Sequence, residues 1–273
     1  MTVEELLVYG KQFIHSEHAK ILLASLLNKN SLELLNCLNQ LVEQDVENTY
    51  KQAVQAIKEG KPLQYVLGKT SFYGREFIVN ENVLIPRFET EQLVEETIKL
   101  IKENFSLPIK VLDIGSGSGN IGITLKKELD NIKVTMTDIS KEALKVANEN
   151  KNNLDVDIEL VESNLFENIN NKYDVIISNP PYLRKEEEIE QIVKDNEPHI
   201  ALFAENEGLY FYEEILKQVE NYTNDKYLIA FEIGYTQKEQ VVKLANKYLK
   251  NIKIYTKQDL ALKDRMIFIL KNE

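Results

Sequence analysis

The chain of 273 residues has a single cysteine, Cys37, which excludes an intramolecular disulfide bond and a cysteine-based metal cluster. Its neighbours at 34–38 are mostly apolar, so we expect a small buried residue rather than a nucleophile. Long apolar runs are also missing, because the stretch at 21–27 is far shorter than the ~20 residues that span a bilayer. We therefore expect no transmembrane segment and no metal site.

The N-terminus lacks the basic residues of a secretory signal and carries Glu4 and Glu5 instead. This pattern predicts a cytoplasmic protein. Internal repeats and low-complexity tracts are absent as well, and 43% of the residues are hydrophobic and 28% charged. That composition is typical of a folded domain with a packed core.

Positive charge is in short supply, since the formal net charge is -11. The first 75 residues are balanced at eight basic and eight acidic side chains, so the deficit lies in the remainder. An anionic body is a poor match for a nucleic-acid backbone, and it fits a cationic cofactor and a basic protein partner better. On charge alone, an acid surplus that only maintains solubility fits equally well.

The N-terminal part shows apolar residues at helical spacing from residue 3 to about 60. Ser31 resembles a helix N-cap, and Gly60 with Pro62 resembles a helix stop. Aromatic and β-branched residues then alternate at 70–79, which predicts a β-hairpin. We accordingly divide the chain into a helical domain at 1–70, a hairpin linker at 71–86 and an α/β domain at 87–273.

Short apolar runs alternate with amphipathic segments in the α/β domain, a pattern typical of a parallel sheet covered by helices on both faces. Helices are expected at 120–129 and 141–150. Seven strands in a doubly wound order are expected at 110–114, 133–137, 158–161, 173–178, 227–233, 252–255 and 266–270.

A glycine-rich loop follows the first of these strands and leads directly into a helix. Glycine allows a tight turn and leaves room for a ligand over the helix N-terminus. The spacing of Gly117, Gly119 and Gly122 also satisfies the dinucleotide-binding pattern G-x-G-x-x-G. The loop alone therefore does not distinguish a dinucleotide from another nucleoside cofactor. The candidate cofactor-binding residues are Gly115, Ser116, Gly117, Ser118 and Gly119.

Two further strand ends carry candidate cofactor contacts. Asp138 lies about 20 residues beyond the loop, where a carboxylate can accept hydrogen bonds from ribose hydroxyls, although it could also simply cap the next helix. Asn164 and Leu165 follow the third strand, where an adenine ring would meet a polar and an apolar side chain. An ordinary turn is the alternative for these two residues.

The fourth strand ends in Asn179-Pro180-Pro181-Tyr182. A dinucleotide-dependent dehydrogenase would have no evident use for this segment, so it argues against that cofactor class. Two prolines remove two backbone donors and stiffen the loop, so its carbonyl oxygens can serve as fixed acceptors. The Asn179 side chain adds another acceptor, and Tyr182 adds a flat face. Together they predict a socket for a planar NH2 group, whose developing positive charge these acceptors would stabilise.

These segments resemble the HemK/PrmC-type family of release factor glutamine N5-methyltransferases. The resemblance runs through nearly the whole chain and includes the segments at 83–91, 115–119, 179–182, 197–202 and 259–265. The Asn-Pro-Pro-Tyr segment alone is shared with adenine and RNA amino methyltransferases. The segment around Pro86 and Arg87 and the helical N-terminal part narrow the resemblance to this family.

The resemblance implies a seven-stranded class I, Rossmann-like methyltransferase domain preceded by a small helical bundle and a β-hairpin. It also implies the cofactor S-adenosylmethionine, the product S-adenosylhomocysteine, and a substrate glutamine in class 1 peptide chain release factors, docked partly by the N-terminal part. Asn179, Pro180, Pro181, Tyr182 and Arg87 would then bind the substrate, and Asn179 would also approach the cofactor. Arg87, Glu89 and Thr90 would shape the pocket, and a structural role fits these three residues equally well. Phe88, Asn164 and Ala204-Glu205 depart from the family pattern.

Two rival functions stay open. An adenine N6-methyltransferase could use the same socket on a flipped base, but it should present a basic groove, and we expect no direct nucleic-acid binding. A catalytically silent adaptor could keep the fold to bind a partner. We expect a monomer that does not associate with membranes.

Overall fold

The computed structural model describes residues 1–272, which form two compact units. The first comprises Met1–Lys69 together with Glu190–Asn196, and the second comprises Thr70–Ile189 and the residues from Glu197 onward. The return of residues 190–196 to the N-terminal unit is a connection that no sequence pattern indicated.

The first unit is helical, as the apolar spacing predicts. Its helices are α1 (Val3–Lys11), α2 (Ser16–Leu26), α3 (Ser31–Leu35), α4 (Gln44–Lys58), α5 (Leu63–Leu67) and, from the later segment, α9 (Gln191–Asn196). Thr2 and Glu5 form a capping box at α1. The cap of α3 is Asn30 rather than Ser31, because the Asn30 side chain accepts from the backbone N–H groups of Leu32 and Glu33.

The core of this unit forms around Tyr50, which is fully buried together with Leu6 and Leu23. Gly10 permits this packing, since a Cβ atom there would lie 2.0 Å from the Tyr50 hydroxyl. Cys37 is 5% exposed and belongs to the same cluster, which confirms it as a small buried residue. The Asn196 side chain on α9 donates to the Gly60 carbonyl at 3.0 Å.

A hairpin of β1 (Lys69–Phe72) and β2 (Arg75–Ile78) follows, and all of it except Lys69 belongs to the second unit. Tyr73 and Gly74 both have positive φ angles. This is the two-residue hairpin turn whose backbone matches the right-handed twist of the flanking strands. The helices and strands that follow are α6 (Phe88–Asn104), β3 (Ile109–Ile114), α7 (Asn120–Glu128), β4 (Ile132–Asp138), α8 (Lys141–Asn153), β5 (Glu159–Glu162), β6 (Tyr173–Ser178), α10 (His199–Leu202), α11 (Glu205–Gly208), α12 (Tyr210–Gln218), β7 (Thr223–Glu232), α13 (Lys238–Tyr248), β8 (Ile252–Gln258) and β9 (Asp264–Lys271).

Strands β3 to β9 form one sheet in the order β5-β4-β3-β6-β7-β9-β8, which confirms seven strands. The expectation of a wholly parallel sheet is wrong for β9, which runs antiparallel to both β7 and β8. The physical reason is the connection between β8 and β9. Only residues 259–263 separate them, and a parallel crossover needs a dozen residues or more.

Both faces of the sheet are buried under helices. On β3, Val111 belongs to one hydrophobic cluster and Leu112 to the other, because successive side chains point to opposite faces. The hairpin contributes Phe72 and Phe77 to the first cluster. Within residues 1–272, no helix is both long and apolar enough to cross a membrane.

We predict that Phe77→Ala lowers the free energy of unfolding by about 3–5 kcal/mol, because Phe77 is fully buried and packs edge-on against Phe72 at 5.9 Å. Tyr255→Ala, at a side chain that is 43% exposed on β8, is the control and should cost far less. Urea unfolding followed by circular dichroism measures both. Equal losses would contradict the assignment of the hairpin to the core.

Candidate active site

A cavity of about 250 Å³ lies in the second unit, where the carboxyl ends of β3, β4, β5 and β6 meet. These four strands run parallel, so the loops after them converge at one edge of the sheet. Most of the residues expected at a site line this cavity: Arg87, Gly115, Ser116, Gly117, Ser118, Asp138, Asn164, Leu165, Asn179, Pro180 and Pro181.

The glycine loop between β3 and α7 forms one wall. Gly115 and Gly117 have positive φ angles, and no atom lies within 4 Å of the place where a Cβ atom would stand at either position. The backbone N–H groups of Gly115 and Ser116 donate to the Thr137 carbonyl, each at 2.9 Å, so β4 holds the start of the loop. The loop therefore keeps its shape while leaving open space beside its backbone.

Gly119 has a different place from the one expected, since it is not among the residues that line the cavity. A Cβ atom there would come within 3.0 Å of the Ile123 and Met136 side chains. Its glycine character therefore serves the packing of α7 against β4. Its positive φ angle lets the chain enter α7 directly from the loop.

Asn150 on α8 anchors the loop from behind, and sequence reasoning missed it. Its buried side chain donates to the carbonyls of Ser118 and Ile78, each at 2.9 Å, and accepts from the Ile78 N–H at 2.6 Å. One carboxamide thus joins the hairpin strand β2 to the glycine loop. An asparagine in an amphipathic helix gives no signal of such a contact.

Asp138 at the end of β4 faces the cavity. One carboxylate oxygen accepts from the Gly117 N–H and the other from the Ser140 N–H, both at 2.9 Å. Burial raises the pKa of Asp138, while these backbone N–H groups lower it. Ser140, rather than Asp138, caps α8, because its hydroxyl accepts from the Ala143 N–H.

Asn164 and Leu165 line the cavity after β5. Leu165 has a φ angle of 51°, an uncommon conformation for a branched side chain, and the Ser163 hydroxyl donates to its carbonyl at 3.0 Å. The Asn164 side chain donates to Glu167 at 3.0 Å. The turn is thus braced by side chains on both sides of Leu165.

Asn179 follows β6, which pairs with β3 so that Ser178 lies beside Ile114. The Ser178 hydroxyl donates to the Ile114 carbonyl at 2.7 Å and joins the two strand ends. The Asn179 side-chain NH2 donates to the Thr90 hydroxyl at 3.2 Å, so its oxygen is the end left for a ligand. Among the described residues, no group donates to Asn179 Oδ1 or to the Pro180 carbonyl.

Tyr182, expected to cover a ligand in the socket, is not among the cavity-lining residues. Its ring packs against the hydrophobic cluster that contains Tyr212 and Phe231, and its carbonyl accepts from Gln237 at 3.0 Å. Burial raises the pKa of the Tyr182 hydroxyl, so it is neutral at physiological pH. In the structure, the ring therefore packs with the hydrophobic core rather than lining the cavity.

Glu232, at the end of β7, is a buried carboxylate that sequence reasoning missed. The Thr90 hydroxyl donates to it at 2.6 Å, and its side chain is shielded from solvent. Burial raises the pKa of Glu232 to about 7, although the Thr90 hydrogen bond and the charge of Arg265 lower it. A lone glutamate after an apolar strand resembles any strand end, so the sequence holds no signal for this role.

The segment before α6 also lines the cavity, through Leu84, Pro86 and Arg87. Glu197 holds this segment: its carboxylate accepts from the Ile85 N–H at 3.1 Å and pairs with the Arg87 guanidinium. Tyr210 and Phe211 also line the cavity, and they come from the start of α12. Nothing in their local sequence indicates this contact, because only the fold brings α12 to the strand ends.

The strand order, the glycine loop and the loop after β6 define a Rossmann-like methyltransferase. Residues 90–198 match the family model described as "Methyltransferase small domain", and residues 13–68 match "PrmC N-terminal domain". A solved methyltransferase from Pyrococcus furiosus superposes with a TM-score of 0.55 at 14% identity, over 74% of this chain and 92% of that one. At that identity the likeness concerns the fold.

Sequence relatives narrow the class. The chain is 39% identical to the release factor glutamine methyltransferase of Streptococcus pneumoniae, over 97% of this chain and 94% of that protein. It is 43% identical to the enzyme of the same name from Flavobacterium psychrophilum, over 77% and 76% of the two chains. The chain belongs to the release factor glutamine methyltransferase family, which confirms the resemblance noted in the sequence.

We predict that Glu197→Gln lowers the free energy of unfolding by about 1–3 kcal/mol, because it leaves the Arg87 charge without its buried partner. Water still reaches the Arg87 side chain, which is 35% exposed, and this limits the loss. Glu142→Gln breaks an exposed pair with Lys145 and should change stability by less than about 0.5 kcal/mol. Chemical denaturation compares the two, and a neutral Glu197→Gln would contradict the anchoring role.

Proposed function

We propose that this chain transfers a methyl group from S-adenosylmethionine to the side-chain amide nitrogen, N5, of the glutamine in the Gly-Gly-Gln motif of class 1 peptide chain release factors. S-adenosylhomocysteine is the second product. One observation carries the proposal: the Asn179 carboxamide is held by its NH2 end, so its oxygen and the Pro180 carbonyl remain as acceptors at the cavity.

The residues at the cavity fit a nucleoside cofactor. Ser116 Oγ is buried, lines the cavity and has no hydrogen-bond partner among the described residues. Gly115 and Gly117 leave open space beside the loop backbone, and Asp138 lies at the neighbouring strand end. We expect the loop backbone and Ser116 to hold the amino-acid part, Asp138 the ribose, and Asn164 with Leu165 the adenine.

S-adenosylmethionine supplies a methyl group already activated by the positive charge on sulfur. The protein then has to bind and orient the reactants and exclude water from them, rather than provide a strong base or a metal. Within residues 1–272, no cluster of three or more histidine, cysteine or acidic side chains is arranged to hold a metal ion.

The substrate amide is planar, and its nitrogen lone pair is shared with its carbonyl. Asn179 Oδ1 and the Pro180 carbonyl can accept its two N–H hydrogens, which holds the NH2 group in one orientation. As the nitrogen becomes tetrahedral and gains positive charge, these fixed acceptors stabilise it more strongly than in the ground state. The methylated nitrogen then loses one proton to water. Arg87, which also lines the cavity, can bind an oxygen of the substrate backbone or side chain.

An amino group of a nucleic-acid base could donate to the same two acceptors, so the substrate class needs a direct test. The protein is incubated with isotopically labelled S-adenosylmethionine and, in separate arms, a release factor, a Gly-Gly-Gln to Gly-Gly-Asn release factor variant, DNA and RNA. We expect label only on the glutamine of the unchanged release factor, located by mass spectrometry of its peptides. Label on nucleic acid alone would overturn the proposal.

We predict that Asn179→Ala abolishes methyl transfer and changes the affinity for S-adenosylmethionine by less than about tenfold, because the lost acceptor acts mainly on the transition state. Transfer assays and titration calorimetry measure the two effects. Asn152→Ala, at an exposed position on α8, is the matched control and should leave both unchanged. Parallel loss of binding and transfer would refute this division of roles.

A further inference from the structure

We infer that Thr90 and Glu232 are positioning residues for this reaction, which set the direction of the Asn179 carboxamide through two consecutive hydrogen bonds. The inference rests on the proposed function, in which Asn179 Oδ1 accepts a hydrogen from the substrate amide. It adds two residues that act through Asn179, of which Thr90 also lines the cavity and Glu232 does not.

The three side chains come from separate parts of the second unit: Asn179 from the loop after β6, Thr90 from α6 and Glu232 from the end of β7. Asn179 Nδ2 lies 3.2 Å from Thr90 Oγ1, and Thr90 Oγ1 lies 2.6 Å from Glu232 Oε2. Thr90 and Glu232 are each 2% exposed, so water does not compete for these contacts.

An asparagine side chain needs such a constraint because its two ends are nearly equal in size and opposite in hydrogen-bonding character. Rotation by half a turn would present NH2 to the cavity in place of oxygen. The substrate also presents an NH2 group, so two sets of donors would then face each other. Methyl transfer therefore depends on which end of Asn179 points into the cavity.

Thr90 transmits direction because its hydroxyl has a single hydrogen. An ionised Glu232 is only an acceptor, so the Thr90 hydrogen points to it and the Thr90 oxygen is left to accept. The only partner that satisfies that oxygen at Asn179 is the NH2 end. A buried negative charge thus fixes a neutral amide through Thr90, and Glu232 also attracts the NH2 end of Asn179 directly, which lowers the pKa of Glu232.

Protonation of Glu232 removes this constraint. A protonated carboxyl can donate to Thr90, whose hydrogen is then free to turn to Asn179 and favour its oxygen end instead. The groups facing Glu232 are Thr90 and Glu89 from α6, Asn179, Arg265 from β9 and the Tyr182 hydroxyl; Tyr212 donates to its backbone carbonyl at 2.8 Å. Arg265 is the cation that favours the ionised form.

The pH range follows from the opposing effects on Glu232. Burial and Glu89 raise its pKa, while Thr90, Arg265 and Asn179 lower it, and the balance lies at about 7. Above that pH the carboxylate is ionised and Asn179 is held with its oxygen to the cavity. Below it, the productive orientation is lost as the carboxylate takes up a proton.

The first test replaces the hydroxyl of Thr90. Thr90→Val keeps the shape and removes both hydrogen bonds, and we expect kcat to fall at least about tenfold with KM for S-adenosylmethionine within about threefold. Thr90→Ser restores the hydroxyl and should recover most of kcat. Thr97→Val is the matched control, since Thr97 is a buried threonine on the same helix that donates only to the Leu93 carbonyl. Wild-type kcat in Thr90→Val would overturn the inference.

The second test is the pH profile of kcat with the release factor. The wild type should lose activity as pH falls from 8.5 to 5.5, with a midpoint near 7, and Glu232→Gln should lack this acidic limb. The relay is the pair of consecutive hydrogen bonds from Glu232 through Thr90 to Asn179. Glu89→Gln changes a residue next to this relay that is not bonded to Thr90, so the loss of activity at low pH should remain, with a shifted midpoint. An unchanged limb in Glu232→Gln would show that another group causes it and would overturn the inference.

A third readout separates this inference from the proposed function. In protein labelled with ¹⁵N-asparagine, the Asn179 side-chain signal is assigned by its absence in Asn179→Ala. We expect this signal to titrate near pH 7 in the wild type and to stay constant in Glu232→Gln and Thr90→Val. If it titrates in this way while the release factor is not methylated, the proposed function fails and the relay stands. If methylation occurs and the signal does not titrate, the relay fails alone.

Discussion

The parallel pairing of β3 with both β4 and β6 is the constraint on which the site depends. It places the ends of three strands at one edge, so the glycine loop, Asp138 and Asn179 become neighbours although up to 64 residues separate them along the chain. The Ser178 hydroxyl on the Ile114 carbonyl then holds two of these ends together. Without this alignment, each loop would be an ordinary turn.

Polar side chains hold the walls of the cavity in place from behind. Asn150 joins the hairpin to the glycine loop, Glu197 holds the segment before α6, and Glu232 with Thr90 holds Asn179. Each of these four side chains is buried, where hydrogen bonds are strong and an unpaired group is costly. The acceptors at the cavity are therefore held by groups of which only Thr90 also lines it.

Local pattern was sufficient for much of the fold. Apolar periodicity predicted the helical N-terminal unit and all seven strands. The glycine loop and the Asn-Pro-Pro-Tyr segment indicated the edge of the sheet at which the cavity lies. It was insufficient for β9, whose direction depends on the short connection from β8, and for Tyr182 and Gly119, whose side-chain surroundings depend on packing from distant elements. A single strand or loop carries no record of such partners.

The sequence by itself determined which chemistry-bearing residues stand at strand ends, because strand ends are set by local periodicity and turn chemistry. Only the tertiary structure decided how those residues point. The direction of the Asn179 carboxamide depends on Thr90 and Glu232, which lie 89 and 53 positions away, and on the packing of α6 against β7 that buries them. The two ends of a carboxamide are nearly equal in size, so its orientation is set by the hydrogen bonds around it. Those hydrogen bonds form only once the distant elements have packed.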